Sequence, residues 1–84
     1  MRVVASSRFR RRARKLRPPR DELLRAALAR FGADLQDPLL RTHKLKGGLA
    51  GYWAFSVDDD LRVLFRWDGE VGFLVALGTH DEVY

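Results

Sequence analysis

The dipeptide Asp68-Gly69 constrains the fold more than any other feature of this chain. It separates two β-prone apolar runs, Leu61 to Trp67 and Glu70 to Leu77. Asp-Gly between two such runs is a strong short-range signal for a two-residue β-hairpin. The register that follows sets Trp67 opposite Glu70, Phe65 opposite Gly72 and Val63 opposite Leu74 on one face. Arg66 then faces Val71, Leu64 faces Phe73 and Arg62 faces Val75 on the other. Tyr52 to Val57 reads as a further strand, joined through a three-residue turn at Asp58-Asp59-Asp60. Its Trp53, Phe55 and Val57 share the first face, and Tyr52, Ala54 and Ser56 share the second. The first face is a core. The second mixes Arg62, Arg66, Tyr52 and Ser56 with Leu64, Phe73, Val75 and Leu77, and a bare face this apolar calls for a partner.

The N-terminal half reads as a strand and two helices. Val3-Val4-Ala5 is β-prone, and Ser6-Ser7 offers a helix N-cap. From Arg8 to Arg17, Phe9, Ala13 and Leu16 form one apolar stripe on a helix otherwise covered in Arg and Lys. Pro18-Pro19 ends that helix. The next, from Pro19 to Phe31, aligns Leu24, Ala27, Leu28 and Phe31, and Gly32 stands where a helix-terminating glycine belongs. Residues 33–51 read as loop, with a helical turn near Pro38 to Arg41. Gly47, Gly48 and Gly51 make its end flexible, but no Gly-Lys-Ser/Thr follows, so it is not a phosphate-binding P-loop. The expectation is an α+β fold of order β-α-α-β-β-β. An antiparallel sheet carries a two-helix hairpin on one face, in a single domain over residues 1–84.

Charge narrows the partners. Residues 1–46 carry a balance of +10 and residues 47–84 a balance of −5, which combine to the net +5. With a pI near 10.4, such a field suits polyanions, nucleic acid first; the plain alternative is a solvated basic helix face. The chain has no cysteine, so neither a disulfide framework nor a thiolate metal site. It has no apolar run long enough to span a membrane and no signal-peptide pattern at its start, and a cytoplasmic protein is the default reading.

His43, Lys44 and Lys46 precede the glycine loop, His80 follows the last strand, and Tyr84 closes the sequence. RNA cleavage by attack of the 2′-hydroxyl needs a base, cations for the phosphorane charge and an acid for the leaving 5′ oxygen. Histidine titrates in the right range. Lysine and arginine supply charge, and an aromatic ring can stack on a nucleobase. A lone histidine beside a loop is more often structural or merely exposed. Two histidines without H-x-x-x-H spacing make no convincing metal site, and no Ser-His-Asp or Cys-His arrangement is legible.

The pattern L-x-G…GY-x…D-x-R-V-x-F…G-x-H-D-E-V-Y over residues 42–84 resembles the C-terminal half of the RelE/ParE toxin superfamily, RelE and YafQ branches. The resemblance implies a microbial ribonuclease-like fold and a type II toxin that cleaves mRNA in the ribosomal A site. It also implies a cognate antitoxin, and the reading calls for no cofactor. YafQ-like members carry a histidine before L-x-G, matched by His43, and an aspartate after the first β-turn, matched by Asp60. Their G-T-H histidine is matched by His80 and their terminal aromatic by Tyr84. RelE-like members carry basic residues around L-x-G, where Lys44 and Lys46 fit. Arg62 joins them as a candidate for phosphorane charge. Arg8, Arg11, Arg12, Arg14 and Lys15, with Arg41, would grip ribosomal RNA. Two positions depart from the pattern: the central-strand histidine is Ser56 and the last-strand arginine is Leu77. Those losses keep a second reading open, a ParE-like gyrase inhibitor or a catalytically weak toxin that only binds.

Overall fold

The computed structural model describes residues 1–84. In chain order the elements are β1 (Arg2–Ala5), α1 (Ser7–Arg14), α2 (Arg20–Ala33), β2 (His43–Lys44), β3 (Trp53–Ser56), β4 (Leu61–Trp67), β5 (Val71–Thr79) and α3 (His80–Val83). Single 3₁₀ turns at Pro38–Leu40 and Gly47–Leu49 flank β2. The strands form one sheet in the order β1-β5-β4-β3-β2. β1 runs parallel to β5 and the other pairs are antiparallel, so the sheet is mixed. The α+β class and the helix pair are as expected; the sheet is mixed where an antiparallel one was expected, because β1 lies parallel to β5, and there are two additions. The supposed loop contains the edge strand β2, and a one-turn helix follows β5.

Local chemistry explains the helices. Ser6 caps α1: its hydroxyl accepts from the Phe9 amide at 3.0 Å and donates to the Val75 carbonyl at 2.9 Å, tying the helix start to β5. α1 stops at Arg14, short of Arg17. The Lys15 and Leu16 amides turn back to the carbonyls of Arg12 and Ala13 ahead of the two prolines, which disfavour helical residues before them. α2 runs through Gly32, so that glycine does not end it. Asp34 does: it is extended, its amide donates to Arg30, and its carboxylate accepts from the Gln36 amide at 2.9 Å.

Phe9 of α1 and Leu24, Ala27 and Phe31 of α2 are buried on the sheet against Phe55, Val63, Phe65, Leu74 and Leu77. Phe31 stacks on Phe55 at 4.9 Å between centroids and meets Phe65 edge-on at 4.7 Å. Trp53 and Val57 pack against the same core, as their strand alternation requires. The turn over residues 58–60 has its expected length, with Ser56 opposite Arg62.

The β4–β5 register differs from expectation in two steps. Trp67 faces Gly72 rather than Glu70, so the turn holds four residues. The Asp68 carboxylate accepts from the amides of both Glu70 and Val71, at 2.9 and 2.8 Å, and Gly69 takes a φ of 99°. That side-chain-built turn displaces the tight one. A slip of two residues preserves the faces. An irregularity between Leu64 and Phe65 then leaves Val75 unpaired, so Leu64 faces Ala76 and Val63 faces Leu77. Leu77 thereby moves from the second face to the core. The second face is partly covered by this chain itself, where Val83 of α3 packs on Leu64 and Ala76 with Leu45, Tyr52 and Val75 around them.

Candidate functional site

The site grows from the end of β5. Thr79 caps α3 and Glu82 answers it: the Glu82 amide donates to the Thr79 hydroxyl at 3.4 Å, and the Thr79 amide donates to Glu82 Oε1 at 2.7 Å. The His80 amide donates to the Asp60 carbonyl at 3.1 Å, which docks the helix on the β3–β4 turn. One helical turn later, the Tyr84 amide donates to the His80 carbonyl at 3.0 Å. The Tyr84 ring stands edge-on to the His80 imidazole at 4.5 Å between centroids, and 6.5 Å from that of His43.

His43 reaches this place from the opposite end of the sheet order. It sits on β2 opposite Ala54, on the face that α3 covers. Its Nδ1 lies 2.9 Å from the Arg41 carbonyl, which can only accept. A proton on Nδ1 leaves Nε2 as the free acceptor of the neutral ring. Arg62 completes the group. Its guanidinium donates to the carbonyls of Asp58 at 2.7 Å and Asp59 at 2.9 Å, and its charge bears on Tyr84. Burial pushes the Tyr84 hydroxyl above its usual value of 10.0, and the charge of Arg62 only partly opposes this. Tyr84 is therefore a neutral donor at physiological pH.

The other candidates are placed differently. Asp60 contributes its backbone carbonyl. Lys44 alternates with His43 on a strand, so it points to the helix-bearing side, where its Nζ lies 5.1 Å over the Trp53 ring. Lys46 is exposed at the start of the Gly47–Leu49 turn, and its carbonyl accepts from Leu49. Neither lysine makes a hydrogen bond or cation–π contact with His43, His80 or Tyr84. Ser56 lies opposite Arg62. Leu77, being in the core beneath α1, is not beside the imidazoles, so an arginine at this position would bury its stem under α1.

The basic residues divide three ways. Arg8, Arg11, Arg12 and Lys15 repeat on one helix face and line a cavity of about 240 Å³ with Leu77, Glu82 and Val83. Arg12 Nη2 lies 3.6 Å from Glu82 Oε1. Arg14 turns away, beside Asp21 and Arg25. Arg41 adopts a left-handed φ of 52° and borders a separate recess with Leu39, Ser56 and Asp58. The expected single grip is therefore one four-residue face with two outlying arginines. Sequence reasoning missed Thr79 and Glu82, although Thr79-His80-Asp81-Glu82 carries the Thr-x-x-Glu signature of a capping box.

No group of three or more His, Asp or Glu side chains is placed to hold a metal ion, and no helix is long and apolar enough to cross a membrane. No protein-family model and no curated protein sequence matches the chain. Solved structures do. A mutant of YafQ from E. coli superposes with a TM-score of 0.80 at 17% identity, over 100% of this chain and 99% of that one. A YoeB/ParE toxin from Agrobacterium tumefaciens gives 0.78 at 18% identity, over 95% and 99%. The E. coli DinJ–YafQ complex gives 0.67 at 18% identity, over 100% and 99%. At these identities the likeness speaks for architecture: this chain has the RelE/ParE-type fold of the YafQ and YoeB toxins.

Proposed function

We propose that this chain is the toxin of a type II toxin–antitoxin pair and acts as a ribosome-dependent mRNA endonuclease in the cytoplasm. The observation that carries the reading is the convergence of His43, Tyr84 and His80 beside Arg62, from three separated segments, on one end of a RelE/ParE-type sheet. In the proposed reaction one imidazole takes the 2′-hydroxyl proton. The 2′ oxygen bonds to phosphorus, and the bond to the 5′ oxygen breaks as the second imidazole protonates it. The products are a 2′,3′-cyclic phosphate and a 5′-hydroxyl end. His80 and His43 are the proton carriers, Arg62 supplies positive charge and Tyr84 orients a base. The Arg8, Arg11, Arg12 and Lys15 face would bind ribosomal RNA phosphates. The DinJ–YafQ complex supports a protein antitoxin as the further partner.

A second reading has its own observation. Arg62 spends its guanidinium on turn carbonyls, Lys44 faces away, and Ser56 and Leu77 bring neither imidazole nor guanidinium. A site so thin in cation fits a weak toxin or a ParE-like gyrase inhibitor. Cleavage of mRNA on programmed ribosomes, run beside gyrase supercoiling, separates the two. Cleavage is expected. Growth arrest with intact mRNA on those ribosomes and inhibited supercoiling would replace the endonuclease by the gyrase-directed binder.

A further inference from the structure

We propose that Glu82 is a positioning residue that holds His80 and Tyr84 in place relative to β5, an inference that rests on the endonuclease reading only for its activity measurement. α3 is a single turn, too short to be stable by itself. His80 and Asp81 are exposed, and Val83 is its one buried side chain. Val83 and the bond from the His80 amide to the Asp60 carbonyl dock the turn on the sheet, and Glu82 adds the contacts that fix the direction in which the two rings project. Three contacts converge on Glu82. Its carboxylate accepts from the Thr79 amide, its own amide donates to the Thr79 hydroxyl, and its Oε1 faces Arg12 of α1. One residue thus joins α3 to both the last strand and the first helix.

Gly78 gives an independent sign that this approach is close. A Cβ there would stand 3.0 Å from Glu82 Cβ, 3.1 Å from its Oε1 and 3.3 Å from Val83 Cγ1. The penultimate residue of β5 therefore leaves room for Glu82 against the strand. Glu82 touches neither imidazole, so it acts through the helix. If it lets go, the His80–Tyr84 pair swings away from His43 and Arg62 together.

Three variants test this in the full chain: Glu82→Ala, Glu82→Gln and, should the alanine variant not fold, Glu82→Leu, which keeps the stem but offers no acceptor. Gln keeps an acceptor for the Thr79 amide, whereas Ala has none. The structural readout is the NMR shift of the His80 ring protons, which lie in the ring current of Tyr84. Expected are collapse of those shifts in Glu82→Ala, an unfolding midpoint close to wild type, and near-native shifts in Glu82→Gln. Cleavage on ribosomes should follow: kcat falls in the Ala variant by at least ~10²-fold, the low end for a displaced acid or base, at unchanged KM, and recovers with Gln. Wild-type His80 shifts in Glu82→Ala, or in Glu82→Leu where that variant stands in for it, would overturn the proposal. So would a Gln variant no better than Ala. A wild-type protein that never cleaves removes the endonuclease reading and leaves the ring shifts to decide the role of Glu82.

Discussion

A Cβ on Gly72 would stand 2.8 Å from Cε2 and Cζ of Phe31. Phe31 is fully buried between Phe55 and Phe65, so its ring cannot retreat. α2 rests on β5 at the one residue that leaves room for it. Gly72→Ala should therefore destabilise by ~1–3 kcal/mol, the usual cost of overpacking a dense core. Urea unfolding should show a lower midpoint at unchanged slope. An unshifted midpoint would mean that the packing there is slack.

The turn over residues 58–60 should respond to acid. Burial pushes the Asp58 carboxyl up, but hydrogen bonds from the Leu61 and Asp60 amides and the charge of Arg20 outweigh it, and the group ends below its ordinary 3.8. A depressed carboxylate stabilises the fold above its unfolded value, and the contribution disappears as pH falls through the lower folded value. Asp58→Asn should thus be less stable than wild type from pH 4 upward, by roughly the same amount to neutrality at a given salt. The two should converge in stronger acid. Parallel stability curves throughout would deny Asp58 this role.

Salt dependence tests the basic face of α1. Reversing Arg8, Arg11 and Lys15 to Glu should weaken ribosome binding. The log–log salt slope should shrink by roughly 0.9 for each phosphate no longer neutralised, taking the duplex DNA value as the order expected on RNA. Arg14→Glu, on the other side of the helix, should change the slope little. An Arg14→Glu effect a third as large as that of the triple reversal, and so equal per charge reversed, would show that only net charge matters.

The three rings should rank in single-turnover cleavage. His80→Ala should cost ~10²- to 10⁴-fold, as for a positioned acid or base. Tyr84→Ala should cost on the order of 1–3 kcal/mol if the ring stacks on a base. His43→Gln should resemble His80→Ala if both carry protons. It should be silent if the imidazole only braces the Arg41 carbonyl.

The part of the second sheet face that α3 leaves bare is the expected seat of the antitoxin. Phe73 is 41% exposed there, Arg66 lies 5.5 Å from the Tyr52 ring centroid, and a cavity of about 400 Å³ opens between Gly51, Arg66, Trp67, Asp68 and Phe73. A segment bearing acids and an apolar side chain would fit it. Hydrogen exchange with and without antitoxin should show new protection over residues 61–77. Protection confined to α2 would move the interface elsewhere.

Much of this was legible in residue order, for physical reasons that differ by element. Phe9 and Phe31 sit on helical stripes and Phe55 on a strand alternation, and burial of an apolar stripe leaves little freedom of placement. The three-residue turn at 58–60 was recoverable because two faces had to agree across it. The β4–β5 turn was not, because the Asp68 carboxylate captured two amides that an Asp-Gly turn of standard type would leave to the strand ladder. The irregularity at Val75 has no local signal and carried Leu77 to the other face. His43, His80 and Tyr84 were named separately, yet their meeting depends on β2 and α3. Two residues of edge strand and one helical turn are too short to show a period.

β5 lies between β1 and β4, although it is the last strand in sequence. The first strand therefore waits, without its partner, until residues 71–74 have been made, and the sheet closes through segments far apart in sequence. His80 and Tyr84 come later still. During synthesis His43 would leave the ribosome well before the two rings it meets in the folded protein, so on the proposed function the group would be incomplete while those last residues are still being made.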